Sequence, residues 1–279
     1  MDAALVTSSI EDIEIQLLLE ALYQHYHYDF RRYARASIKR RLVQARAQLG
    51  YDSISAIQAE VLRDANLLPR LLDFLTVQVS EMFRDPSYFR ALREKVIPHL
   101  RTYPSLKVWV AGCSNGEELY SLAILFHEEG LAKKTLFYAT DINPTALNAA
   151  QAGVYPLDRI RLFTENHQQS GGRSSLSDYY TANYGRAVFD KTLCSQAVFS
   201  DHSLVTDAAF GEMHLISCRN VLIYFDRELQ DRAVGLFRDS LARRGFLGLG
   251  SKESLRFSAH AAAFGAFARE EKIYQRAGS

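Results

Sequence analysis

Val108-Trp109-Val110-Ala111-Gly112-Cys113-Ser114-Asn115-Gly116-Glu117-Glu118-Leu119-Tyr120-Ser121 reads as a buried strand, a loop of small residues and the first turns of a helix. Gly112 and Gly116 let the backbone turn sharply and approach a ligand closely. Ser114 and Asn115 are turn formers able to cap the helix that follows. The loop lacks the Gly-Lys-Ser/Thr ending of a phosphate cradle, and its two carboxylates would repel a phosphate. Glu117 and Glu118 suit a cation instead. Taken alone, the stretch is either a cofactor loop or an ordinary tight turn.

Working outward, strands and helices alternate. The spacing predicts a strand at Leu106–Ala111, a helix over 117–129, a strand over 135–142 and a helix opening at Asn143-Pro144, which is a parallel α/β rhythm. A Gly/Ser/Tyr-rich, poorly periodic stretch interrupts it at about 153–200, with strand-like pieces at 187–189 and 192–199, and is expected to form an inserted antiparallel subdomain. The rhythm resumes with a strand at 213–218, a helix over about 227–242, a strand over 245–250 and a closing hairpin of 266–270 against 272–276. Upstream, residues 10 to about 75 carry only helical periodicity. The expected organisation is a helical domain over 1–76, a linker over 77–88 that contributes to the cofactor site, and a doubly wound, Rossmann-like domain over 89–279. Asp85-Pro86 suits a helix start. Within the helical domain, Arg31, Arg32, Arg35, Lys39, Arg40, Arg41 and Arg46 crowd a segment at about 29–49 whose apolar positions Ile38, Leu42, Ala45 and Leu49 keep one face for packing. The opposite face is either solvated or a docking surface for an acidic partner.

Composition narrows the function classes. A chain of 279 residues with 48% hydrophobic content buries a full core, and a formal charge of +1 gives no overall reason to expect nucleic acid. No apolar run reaches membrane-spanning length and the start lacks a signal-peptide pattern, so a cytoplasmic protein with no membrane insertion is expected. Cys113, Cys194 and Cys218 form no C-x-x-C pair, so neither a metal site nor a disulfide framework is expected. The second strand ends in Ala139-Thr140-Asp141, where doubly wound nucleoside-binding folds place a carboxylate on ribose hydroxyls. Asp141 is a ribose ligand on this reading; the alternative is an N-cap for the next helix.

Four ordered motifs together resemble the CheR-type chemotaxis-receptor methyltransferases: Ser80-Glu81-Met82-Phe83-Arg84-Asp85, the loop from Ala111 to Ser121, Ala139-Thr140-Asp141-Ile142, and Cys218-Arg219-Asn220-Val221-Leu222-Ile223-Tyr224-Phe225. The resemblance covers nearly the whole chain. It implies transfer of a methyl group from S-adenosylmethionine, leaving S-adenosylhomocysteine, to glutamate side chains of a signalling receptor. It implies cofactor contacts at Gln78, Ser80, Arg84, Glu118, Asp141, Ser203, Leu204, Cys218 and Arg219, with Arg84 and Tyr224 beside the transferred methyl. Gln78, Asn115, Leu119 and Ser203 depart from the residues usual in the family. The stretch around His202 and the Gly171-Gly172 pair resemble members associated with sensor kinases and response regulators. The expected partner is the helical cytoplasmic region of a receptor, docked on Arg32, Arg35, Lys39 and Arg46; a response regulator is a further expected partner, and the chain is expected to be monomeric. The competing readings are a cofactor-binding adaptor without methyl transfer and a methyltransferase for a small metabolite. The basic segment and the insertion favour a protein substrate, since neither is needed to enclose a metabolite.

Overall fold

The computed structural model describes residues 9–278, which form two compact units. One holds the N-terminal part up to Val77 together with Tyr224–Leu229; the other holds Gln78–Ile223 and the chain from Gln230 onward.

In the first unit, α1 (Ile10–Tyr26), α2 (Arg35–Leu49), α3 (Ile54–Val61) and α4 (Leu67–Leu75) pack around Leu18, Leu22, Leu42, Ile57, Val61 and Leu71, all fully buried. Burying a side chain of this size contributes about 1.5–3 kcal/mol. The basic segment begins as a turn and not as helix: Tyr33 bridges Phe225, and the Ala34 amide donates to the Tyr224 carbonyl at 2.7 Å. With its backbone committed to that pairing, the chain enters α2 only at Arg35, six residues later than the expected start at about 29. Arg41 also departs from expectation. It lies on the buried face of α2, with Nη1 donating to the Leu75 carbonyl at 2.6 Å and the guanidinium 4.8 Å from the Tyr224 ring centroid.

The second unit is built on a seven-stranded sheet. Its strands, in chain order, are β1 (Leu106–Ala111), β2 (Thr135–Asp141), β6 (Ala197–Asp201), β7 (Met213–Cys218), β8 (Leu241–Leu249), β9 (Phe264–Ala268) and β10 (Ile273–Arg276); β3 (Val154–Pro156), β4 (Tyr180–Asn183) and β5 (Arg186–Phe189) form a separate three-stranded antiparallel sheet. The large sheet runs β6-β2-β1-β7-β8-β10-β9. The first five strands are parallel, and β10 is antiparallel to both β8 and β9. Val108, Trp109 and Val110 of β1 are buried without alternation, as a parallel strand covered on both faces requires. The remaining helices are α5 (Pro86–Ala91), continued through a π-helical turn at Leu92–Val96 into α6 (Ile97–Leu100), then α7 (Glu117–Glu128), α8 (Pro144–Ala152), α9 (Ile160–Gln169) and α10 (Arg227–Ser240), whose residues up to Leu229 count with the first unit.

Two expectations about this unit are corrected. Residues 192–199 do not belong to the inserted sheet: Lys191–Cys194 is a 3-10 turn, and Ala197–Asp201 pairs in parallel with β2, Phe137 opposite Ala197 and Asp141 opposite Asp201, as an edge of the large sheet. The helix expected to reach 242 stops at Ser240, because Leu241 already pairs with Met213. A buried ionic network ties the insertion down. Arg93 bridges Glu128 and Glu129 at 2.7 and 2.8 Å, His167 Nε2 lies 3.0 Å from Glu128, and Arg173 reaches Glu129 at 2.8 Å.

Candidate functional site at the carboxyl ends of the strands

From β1 the chain passes to β2 and β6 on one side, while β7 lies on the other, so the connections leaving β1 and β7 diverge. An open parallel sheet binds ligands in the crevice outside such a switch point. The carboxyl ends of β2, β6 and β7 and the residues that follow them carry every expected cofactor residue outside the Gln78–Arg84 segment and Glu118.

The loop after β1 is shaped by backbone more than by side-chain caps. Gly112, Ser114 and Gly116 take left-handed φ of 71°, 50° and 91°, and Gly116 itself is the N-cap of α7, with no side chain capping it. The expected capping by Ser114 or Asn115 is therefore not realised. Ser114 instead binds other partners, its amide donating to Asp141 Oδ2 at 2.8 Å and its hydroxyl to Gln78 Oε1 at 2.6 Å. Space is tight at both glycines. A Cβ on Gly112 would stand 2.5 Å from Val221 Cγ2, and one on Gly116 2.9 Å from Ala150.

Asp141 does not cap α8. That cap is Asn143, whose side-chain oxygen accepts from Thr145 and Ala146, while the Asn143 amide donates to Asp141 Oδ1 at 3.0 Å. The N-cap alternative fails, and the Asp141 carboxylate is held by the Ser114 and Asn143 amides, with the Ile142 amide also favouring its ionised form, fewer donors than its two oxygens can accept. Burial pushes its pKa up, against the pull of the Asn143 and Ser114 amides. A buried carboxylate with spare acceptor capacity at a strand's carboxyl end fits a vicinal diol. Ser203 and Leu204 follow β6 directly. The Ser203 hydroxyl accepts from the amides of Val205 and Thr206, forming the turn that buries Leu204.

Glu118 is fixed from β7. Ser217 donates to Oε1 at 2.6 Å, and Arg219 Nη1 to Oε2 at 3.1 Å. Because Ser217 commits its proton to Glu118, Tyr88, 2.9 Å away, donates to Ser217; burial raises the Tyr88 pKa and keeps it protonated. Arg219, with its side chain 1% exposed, also binds Asp85 at 2.7 Å and the Arg84 carbonyl at 2.8 Å, over the Tyr88 ring. The expected attraction of the glutamate pair for a cation is met by the chain itself, Glu118 by Arg219 and Glu117 by Arg159 at 2.7 Å. Arg159 also donates to the Ser80 carbonyl, tying the start of the linker to α7. Arg84 stands between Phe83 and Asp85, both at left-handed φ (52° and 54°), a conformation that non-glycine residues adopt only where the surroundings impose it. The Phe83 amide is held by Ser121 Oγ at 2.8 Å. Asp85 pairs with Arg219 and not with Arg84, whose side chain has one long contact, 3.5 Å to the Val79 carbonyl.

The structure thus brings Gln78, Asp141 and Ser114 into one hydrogen-bonded chain, and Arg84, Glu118 and Arg219 into a second. Cys218 and Cys113 are buried thiols whose pKa values burial pushes well above normal, which removes both as nucleophiles at neutral pH. Tyr224 belongs to the helical unit, half-exposed against Arg41. Sequence reasoning missed Tyr88, Arg159 and Ser217, because each acts on a partner distant in sequence, and misplaced Arg41, although its spacing of three from Ile38 and four from Ala45 puts it on the packed face of the helix.

The four cations of the expected docking face are paired within the helical unit. Lys39 pairs with Glu11 and Asp12 at 3.1 Å, Arg35 with Asp12 and Arg46 with Glu11 at 3.8 Å, and Arg32 with Glu228. The first turn of α1 supplies the acid for three of them. Among the described residues no cluster of His, Cys, Asp and Glu suits a metal ion, and no helix is long and apolar enough to cross a membrane.

Residues 78–270 match the family described as CheR methyltransferase, SAM binding domain, and residues 13–76 match CheR methyltransferase, all-alpha domain. The chain is 53% identical over 265 residues to a Pseudomonas putida protein named putative methyltransferase Cher3, covering 95% of this chain and 97% of that one. It is 32% identical to the chemotaxis protein methyltransferase of Listeria innocua, covering 81% and 84%. It also matches an uncharacterised 104.1 kDa protein of Rhodobacter capsulatus at 30% identity, covering 85% of this chain but spanning only 25% of that protein.

Proposed function

Because the chain belongs to the CheR methyltransferase family and carries its S-adenosylmethionine-binding domain, we propose that it esterifies glutamate side chains of a receptor's helical cytoplasmic region. The observation that supports this reading best is the pair of fixed carboxylates, Asp141 at the carboxyl end of β2 and Glu118 in the helix that follows the adjacent β1. When bound, the cofactor supplies an electrophilic methyl on sulfonium sulfur.

The chain's own residues bind and align. Asp141 accepts the ribose hydroxyls, Glu118 faces the amino-acid end together with Arg219, and Ser203 and Leu204 border the base. Gln78, Ser80 and Cys218 line the remainder. Arg84, held in a strained turn and only lightly engaged by its own unit, orients the incoming glutamate with its fork of donors. Tyr224 donates a hydrogen bond beside the reacting centre. The nucleophile is already ionised at neutral pH and the departing thioether is neutral, so no general base is required. Proximity and alignment can supply several kcal/mol of the acceleration. Arg32, Arg35, Lys39 and Arg46 receive the acidic receptor surface, whose carboxylates replace Glu11, Asp12 and Glu228 as partners. One exposed ion pair is exchanged for another, so the face contributes more to encounter rate than to affinity.

Incubation with methyl-labelled cofactor and receptor-containing membranes tests this reading. Label on a receptor band, released as methanol by base, is expected; base-stable label, or label only on small molecules, refutes it.

A further inference from the structure

The turn that follows β7 is gathered by a carboxylate outside the four motifs. Glu253 is 4% exposed, and its Oε2 accepts from the Gly250 amide at 2.6 Å and the Asn220 amide at 3.0 Å. The amides of Leu222 and Ile223 further favour its ionised form, against a burial that raises its pKa, while Oε1 makes no hydrogen bond of its own. Asn220 is left-handed at φ 62°, a conformation that needs enforcement from its surroundings. Gly250 completes the packing, since a Cβ there would stand 2.8 Å from the Asn220 nitrogen and 2.9 Å from Glu253 Oε2. On the near side of the turn, Arg219 is fixed independently by Glu118, Asp85 and the Arg84 carbonyl. On its far side the chain runs through Leu222 and Ile223 directly into Tyr224.

We infer that Glu253 is a positioning residue for methyl transfer: its buried carboxylate fixes the backbone of the turn from Asn220 to Ile223, the segment that continues along the chain into Tyr224. This rests on the reading of Tyr224 as a residue of the transfer site. Because Arg219 has its own anchors, loss of Glu253 affects turnover and leaves cofactor binding nearly intact. A residue that only filled space would behave otherwise, since an apolar side chain of similar volume could replace it.

Glu253→Leu and Glu253→Gln separate the two roles. Leucine fills the volume and accepts nothing; glutamine keeps an accepting oxygen. Glu253→Leu is expected to lower kcat for receptor methylation by about tenfold or more with the Kd for S-adenosylhomocysteine within about threefold of the parent, and Glu253→Gln to keep kcat within about threefold. Amide exchange over residues 220–225 should accelerate in the leucine variant only. Gly250→Ala, which wedges a methyl between the Asn220 amide and an intact carboxylate, should reproduce the leucine phenotype and serves if that variant does not fold. Parental kcat and exchange in Glu253→Leu, Kd rising in step with the loss of kcat, or Glu253→Gln as impaired as Glu253→Leu overturns the assignment. If the parent itself methylates no receptor, the substrate reading fails alone, and exchange over 220–225 still decides Glu253.

Discussion

Replacing Asp141 by asparagine probes the ribose contact with least disturbance. Alanine would strip acceptors from both the Ser114 and Asn143 amides, now at 2.8 and 3.0 Å, and so dismantle the loop as well as the contact. Asparagine keeps one accepting oxygen and removes the charge. Hydrogen bonds to a charged group contribute about 1.5–3 kcal/mol, so S-adenosylhomocysteine should bind roughly 10–150-fold more weakly. Some of that loss could come from the Ser114 amide losing its partner, and a ligand cycle removes this ambiguity. The 2′,3′-dideoxy analogue of S-adenosylhomocysteine should bind the parent far more weakly than the natural product, yet bind Asp141→Asn about as well as the natural product does. Calorimetric titration of both ligands into both proteins gives the coupling. A coupling near zero would falsify the ribose assignment, whatever the single variant does to affinity.

Arg219→Lys keeps the charge but cannot reach Glu118, Asp85 and the Arg84 carbonyl at once; a loss of about 1.5–3 kcal/mol, or roughly 3–12 °C in Tm, is expected, and an unchanged melting curve would show that the network contributes nothing. Glu128, held down to about 2 against its burial by hydrogen bonds from His167 and Arg93, contributes stability that is complete above its ordinary value of 4.5 and lost as pH falls towards 2. At 1.36 kcal/mol per pH unit, about 2 kcal/mol of this should be lost between pH 4.5 and 3, which urea unfolding between pH 7 and 3 should show in the parent and not in Glu128→Gln. Charge reversal at Arg32, Arg35, Lys39 and Arg46 should abolish receptor methylation with cofactor affinity unchanged. Glu11→Gln with Asp12→Asn, which releases three of those cations, should instead speed methylation at low salt and steepen its salt dependence. Methylation indifferent to both sets and to salt removes the docking role.

What the sequence made legible follows the range of the forces involved. β1 and β7 are mostly apolar strands, buried apart from Lys107 and the half-buried His214, and their bounds were readable to the residue. The edge strand Ala197–Asp201 was not, because it is half-exposed and the strand it pairs with, β2, lies across a long insertion. Helix starts misled where tertiary contacts had claimed the backbone or side chain: Ser114 serves Asp141 and Gln78 instead of a cap, and Tyr33 pairs with Phe225 instead of opening α2. Arg41 read as one more cation of a basic face because of its charge, although its spacing from Ile38 and Ala45 marks the packed face; its partners, Tyr224 and the Leu75 carbonyl, lie far along the chain. Glu253 was silent for the same reason: the Asn220 amide it holds lies 33 residues upstream.

The central claim, that an aligned glutamate carboxylate is the nucleophile, is tested most directly on a purified helical receptor fragment in two forms, one native and one with its surface glutamates changed to glutamine. After incubation with S-adenosylmethionine and the enzyme, peptide mass spectrometry should find methyl esters on glutamates of the native form and no transfer to the glutamine form. Equal methylation of both forms, or methyl groups on nitrogen, would contradict the account.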